Sequence, residues 1–352
     1  MGFQVKLMKW PMISWFTLLH LAAAGLAQKY HSPEEIFKRI DTSPMQYRIK
    51  LLADTDTLPD ESHPVLEHGL VLWQERGGEP MLTTIHAVLQ KDRYLAGYIS
   101  AAENALRQGR PAAARRAYLA LLAAAPDDAQ DMTLIGQTFA MEGDSAKAMA
   151  CYRKAIRSNY YDFVAHELLA GWLWHRHQPD SAITEMTIAH ILNRNNPAVM
   201  AEYHHLLQRA GRRYDAWEFR PIYKLEETAD AKIIKYDLSA SEWLGYALCK
   251  ALWRFEPGYA DSVLQEVKAP AEYIQEIEAV QALLYSRKAK DDIGPDRALQ
   301  TLLRAAEKEM IQEYVLYEIM LRKDPAFVFY LPETQVAAMA HYIQRFRIFN
   351  LF

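Results

Sequence analysis

Six histidines fall within residues 166–205: His166, His175, His177, His190, His204 and His205. Neutral imidazoles in groups of two or more bind zinc well, and Glu167 and Glu202 beside them could add carboxylate oxygens. A scaffold that brought His175 and His205 together would make a metal-dependent module or enzyme. Other catalytic signatures are lacking: there is no Gly-rich phosphate loop, no Gly-x-Ser-x-Gly elbow and no His-Glu-x-x-His pair. Carboxylates are abundant, but nothing in their spacing marks two of them as buried together.

Whether any of these groups meet depends on the elements that carry them. The chain has 352 residues, 51% of them hydrophobic and 24% charged, which is ordinary for a folded protein. Ala and Leu dominate, runs of Val, Ile and Thr at period two are scarce, and no alternating strand stands out. The class read from this is all-α. The formal charge is −4, and losing Lys6 and Lys9 would take it to −6. An acidic chain is a poor counterion-displacing surface, which argues against nucleic acid as partner. The Arg-rich patches at Arg107–Arg116 and Arg209–Arg213 read as solvated helix faces. Cys151 and Cys249, 98 residues apart, read as buried apolar thiols, with a disulfide in an oxidising compartment as the alternative.

Residues 1–27 carry a basic start, an apolar run from Trp10 to Leu26 and the small-x-small ending Gly25-Leu26-Ala27. That is the form of a secretory signal peptide with cleavage after Ala27, and the alternative is a retained anchor. The expected protein is exported, periplasmic or extracellular, with no stable membrane span after cleavage. Residues 28–94 read as an irregular helical lead-in. Ser32-Pro33-Glu34-Glu35 opens its first helix with a capping box, and further helices are expected over Pro64–Arg76 and Pro80–Arg93.

A repeat follows. Gly109, Gly143, His177 and Gly211 are spaced by 34, as are Ala114, Ala148, Ala182 and Ala216. Tyr118, Tyr152 and Met186 share one register; Tyr98, Met132, His166 and Met200 share another, four residues before Ala102, Gly136, Ala170 and His204. This pattern resembles the tetratricopeptide repeat family over residues 95–230, in units 95–128, 129–162, 163–196 and 197–230. The second unit matches best. Pro221 interrupts the second helix of the fourth, and Lys224–Ser239 reads as a polar hinge or connection. Residues 231–352 read as helical: an amphipathic stripe from Trp243 to Leu252, helices over Pro270–Lys288, Pro295–Lys308, Ile311–Leu321 and Thr334–Phe349, and a cap for the last repeat. The fold expected is a tetratricopeptide-like helical-hairpin solenoid with irregular helical N- and C-terminal segments.

The resemblance implies that the first helix of each hairpin lines a concave groove. On this chain that places Ile99, Glu103 and Arg107 there, with Thr133, Gln137 and Met141 from the second unit. Glu167, Trp174 and His175 follow from the third, and Glu202, His205 and Arg209 from the fourth. Charge, amide and aromatic groups in that mixture suit a peptide or partner helix, and an exposed Trp174 is expected to want a partner. Family members that grip a terminal carboxylate use Lys, Asn and Arg at positions occupied here by Ile99, Glu103, Leu134, Val164 and Leu168, so that mode is not expected. The function implied is a non-catalytic interaction scaffold of the cell envelope with no cofactor and no metal. The metal-dependent module at His175 and His205 is one alternative. A structural oligomer through the C-terminal helices is the other.

Overall fold

The computed structural model describes residues 30–58, 63–73, 81–126, 128–265, 269–288 and 296–351. The expected signal peptide lies outside these, as does the Asp291-Asp292-Ile-Gly294 connection. The described chain is mostly helical. In order it holds α1 (Pro33–Thr42), β1 (Tyr47–Leu51), β2 (Leu70–Trp73), β3 (Met81–Thr84), α2 (Ile85–Leu89), α3 (Arg93–Arg107) and α4 (Pro111–Ala124). Next come α5 (Ala129–Met141), α6 (Ser145–Ser158), α7 (Phe163–His175), α8 (Pro179–Leu192), α9 (Pro197–Arg209), β4 (Arg212–Tyr214), β5 (Tyr223–Glu227) and β6 (Lys232–Tyr236). The remainder is α10 (Trp243–Phe255), α11 (Tyr259–Leu264), α12 (Ala271–Lys288), α13 (Arg297–Glu307), α14 (Ile311–Tyr314), α15 (Leu321–Lys323), α16 (Glu333–Phe346) and β7 (Ile348–Asn350). No helix among the described residues is long and apolar enough to cross a membrane.

The chain divides into two compact units. The first takes His63–Asp215 and Asp324–Phe352. Its centre is three helix pairs, α3 with α4, α5 with α6 and α7 with α8, each pair closely packed. The turn residues Gly109, Gly143, His177 and Gly211 all have φ between 56° and 80°, the left-handed region. His177 therefore does take a glycine-like role, as the 34-residue spacing predicts. Small residues sit where the pairs cross: Ala102, Ala114, Ala148, Ala170 and Ala182 are all buried. At Gly136 an added Cβ would stand 2.5 Å from a Tyr152 ring carbon, so only glycine lets α5 approach α6 this closely.

The first unit departs from expectation at both ends. Residues 64–93 are not two helices: β2 and β3 form an antiparallel ladder with Leu70 opposite Thr84, and only the short α2 follows. The Val71–Leu72–Trp73 and Met81–Leu82–Thr83 runs favour extended chain, and each was too short for periodicity to separate from helix. The fourth hairpin has no second helix. After Gly211 the chain becomes β4, which pairs antiparallel with β7, Arg212 opposite Asn350. The C-terminal α16 packs on α8, with Gln344 donating to Thr184 Oγ1 at 3.2 Å and Tyr161 OH to the Leu331 carbonyl at 2.5 Å. Of the expected cap over 231–352, only this last stretch joins the unit that holds the helix pairs.

The second unit takes the described residues of Pro11–Ser62 and Ala216–Lys323. The Ser32 capping box is present: Glu35 N–H donates to Ser32 Oγ and Ser32 N–H to Glu35 Oε2. Lys224–Ser239 is not a hinge, because β5 and β6 pair antiparallel and β6 pairs parallel with β1. This three-stranded sheet lies on α10 around Ile234, Ala247, Leu248, Ala251 and Phe255. The Trp243–Leu252 stripe is buried there apart from the half-buried Leu244. Between α14 and α15 the helix widens into a π-helical turn, Val315–Met320.

Candidate functional site

Helix capping builds the site. Asp128, Asp162 and Asn196 cap α5, α7 and α9, each accepting the N–H groups two and three residues on. They are 34 residues apart, so every first helix from the second unit onward starts from a polar side chain at the same end of its hairpin. The segment 63–71 and α2, which precede the helix pairs in the chain, meet these polar ends.

Asn193, fully buried beside the start of α9, holds the backbone of Leu66 at both ends. Leu66 N–H donates to Asn193 Oδ1 at 3.0 Å, and Asn193 Nδ2 donates to the Leu66 carbonyl at 2.9 Å. Asn195 Nδ2 donates to the Pro64 carbonyl at 3.0 Å. His68 Nε2 lies 3.2 Å from Asp162 Oδ1, while Thr133 Oγ1 donates to Asp162 Oδ2 at 2.7 Å. Burial would raise Asp162, but His68 and the Thr133 hydroxyl more than offset it and hold the carboxyl below its ordinary value. Gly69 follows with φ +77°, its backbone against the Gln130 side chain. Irregular chain leading into the turn at His68–Gly69 is thus held by two side-chain amides, and its own imidazole is paired with a carboxylate.

One repeat earlier, His86 on α2 reaches Asp131 with Nε2 at 2.8 Å from Oδ1. Asp128 and Asp131 are buried together, a pairing that nothing in their spacing marked. Burial and the neighbouring Asp131 charge push Asp128 up to about 7. Burial works against a charged His86, yet Asp131 and Asp128 raise its pKa overall.

The groove residues named from the resemblance separate into two groups. Ile99 and Thr133 do not face solvent: Ile99 is in the core with Ala102 and Leu121, and Thr133 is buried on Asp162. Glu103, Arg107, Met141, His175, Glu202, His205 and Arg209 are exposed, while Gln137, Glu167 and Trp174 are half-buried. The third and fourth units come together here. The Arg209 guanidinium stands 4.5 Å from the Trp174 ring centre, so the tryptophan already has a partner within the chain. Burial and the charge of Glu202 raise Glu167. Glu103 and Arg107 make only an exposed contact at 4.0 Å, and His205 lies 3.9 Å from Glu202.

The histidines do not form one constellation. His166 is buried between Glu185 Oε2 at 2.6 Å and the Tyr160 carbonyl at 2.9 Å. His190 is buried against Tyr203, and its burial keeps it neutral. Among the described residues, the one group of three or more His, Cys, Asp or Glu placed to hold a metal ion is His86, Asp128 and Asp131; His175 and His205 are not in it. Both cysteines are free, and burial pushes the Cys249 thiol far up, which makes it unreactive.

The second unit buries carboxylates too. Glu276 accepts from Tyr246 OH at 2.5 Å, Lys250 Nζ at 2.9 Å and Lys323 Nζ at 2.7 Å. Glu278 accepts from Trp253 Nε1 at 2.7 Å and from the His31 N–H at 2.8 Å. Burial would raise Glu276, but the two lysines hold it low. A small cavity bounded by Phe219, Pro221, Tyr246, Glu318 and Arg322 adjoins this network at the π-helical turn. The carboxylates are saturated with donors, which is what a structural ion pair requires.

Sequence reasoning missed Asn193, His68, His86, Asp128, Asp131 and Asp162. A signal existed for the aspartates, since Asp128, Asp162 and Asn196 repeat at 34 as regularly as the glycines. None existed for the histidines or for Asn193, whose partners lie 45 to 127 residues away. No protein-family model matches the chain, and no curated protein is significantly similar to it.

Proposed function

We propose that this chain is a non-catalytic protein–protein interaction scaffold whose helix pairs form a tetratricopeptide-like array that binds an extended peptide. The observation that carries the reading is the hold of Asn193 on both backbone groups of Leu66. An amide that satisfies the N–H and the C=O of one residue recognises extended backbone whatever its side chain. The same stretch of the unit leaves Gln137, Met141, Trp174, His175, Glu202, His205 and Arg209 on its surface or half-buried. Trp174 and the Arg209 with which it is already paired would act on a peptide as one unit, an apolar plate edged by a charge. Export through residues 1–27 would put this activity in the cell envelope or outside the cell.

The test is a library of extended peptides bound to the purified chain, compared with Trp174→Ala and Arg209→Ala. Selected peptides are expected to lose at least about tenfold in affinity with either substitution, the loss of one anchor contact. Peptide binding unaffected by both, or hydrolase activity that tracks a groove substitution, would refute the reading.

A further inference from the structure

We propose that His86, Asp128 and Asp131 form a binding site for one divalent transition-metal ion, with zinc its first candidate, clamping α2 to the start of α5. The inference is independent of the peptide-binding reading and goes beyond it.

The donors come from two elements. His86 lies on α2, Asp128 is the cap of α5, and Asp131 is in the first turn of that helix, three residues on and so on the same face. One ligand atom from each lies within 4.8 Å of the others. The two carboxylates are 2% and 0% exposed. Asp128 spends Oδ1 on the N–H groups of Gln130 at 2.9 Å and Asp131 at 3.3 Å. Asp131 turns Oδ1 to His86. The remaining oxygen of each, Oδ2 in both cases, is buried with no hydrogen-bond donor. No lysine or arginine among the described residues pairs with either carboxylate, in contrast to Glu276.

Two converging carboxylates with donorless buried oxygens are costly unless a proton or a metal ion joins them. A divalent ion held by one oxygen of each carboxylate would offset the negative charge gathered there. The imidazole selects among ions. Calcium and magnesium take oxygen ligands, and soft copper(I) prefers sulfur, whereas one nitrogen with two carboxylate oxygens suits zinc, manganese, iron or cobalt. His86 would bind through Nε2 in its Nδ1–H tautomer. Three protein ligands leave a further position for water. The consequence is mechanical, because the ion would tie the stretch that leads into the helix pairs to the second pair.

The test uses the full chain without a polyhistidine tag, stripped with chelator and titrated with zinc or cobalt(II). Roughly one ion per chain is expected to bind. Asp131→Asn and His86→Gln should weaken binding on the order of 100-fold or more, while His175→Ala with His205→Ala should leave it unchanged. Absence of stoichiometric uptake by the wild-type chain overturns the proposal, as does uptake that survives Asp131→Asn and His86→Gln. Should those variants fail to fold, paramagnetic broadening by cobalt(II) is read on the wild-type chain. Loss of the His86 ring signals supports the site, and their persistence with ion bound overturns it.

Discussion

Removing the Asn193 side chain isolates the grip on the 63–71 segment. Asn193→Ala deletes two hydrogen bonds, of 3.0 Å and 2.9 Å, to the two backbone groups of Leu66. At roughly 1 kcal/mol net for each bond, the local cost is about 2 kcal/mol. Water can reach the half-buried Leu66 once the amide is gone, which keeps the figure near this sum and below the full cost of stranding two buried groups. Two kcal/mol is roughly a 30-fold rise in the opening constant. Hydrogen exchange at the Leu66 amide reads this directly, since it reports local opening without global unfolding. The Leu66 amide is expected to exchange roughly 30-fold faster in Asn193→Ala, while amides of α7, beyond the contact, should change little. Asn193→Asp keeps an acceptor for the Leu66 N–H but sets a carboxylate oxygen against its carbonyl, so it should not rescue protection. Equal Leu66 exchange in wild type and Asn193→Ala would refute the reasoning and remove the main support for backbone recognition by this unit.

Three further outcomes follow from the geometry. Gly136→Ala drives a Cβ to 2.5 Å and 2.8 Å from the Tyr152 ring and 3.1 Å from Cys151 Cβ, and should destabilise the first unit by about 1–3 kcal/mol in thermal unfolding. Asp162 has a folded pKa below its unfolded one, so its contribution is fully present above an unfolded value of about 4 and is lost as pH falls through the folded value. Asp162→Asn keeps a capping side chain and should flatten the acid limb of a urea-midpoint series, with identical limbs counting against the assignment. Glu276→Gln leaves Lys250 and Lys323 facing a neutral group in a fully buried place; breaking such a pair costs about 3–5 kcal/mol, which denaturation followed on Trp243 or Trp253 fluorescence would register.

The sequence by itself determined the parts of this protein governed by neighbours in the chain. The 34-residue spacing placed the helix pairs of 93–192, the small crossing residues and the left-handed turns, down to His177 with φ 56°. Helix hydrogen bonds, caps and crossings inside a hairpin lie within one repeat, so their pattern is written locally. The capping box at Ser32 and the buried stripe of α10 were legible for the same reason.

Tertiary structure alone decided the rest. The parallel pairing of β1 with β6 and the antiparallel pairing of β4 with β7 join segments far apart in the chain, and short strands carry too few residues for period two to declare itself. The fourth hairpin is a case in point. Pro221 marked a stop or kink in its second helix, but nothing in the chain announced that the helix would be absent or that α16 would pack on α8. The candidate site follows the same rule. The aspartates sit at repeating cap positions that the spacing contains, whereas His68, His86 and Asn193 join them across 45 to 127 residues. A side chain's own helix fixes which way it points. What it meets is fixed by loop closure over long distances, which one sequence does not record.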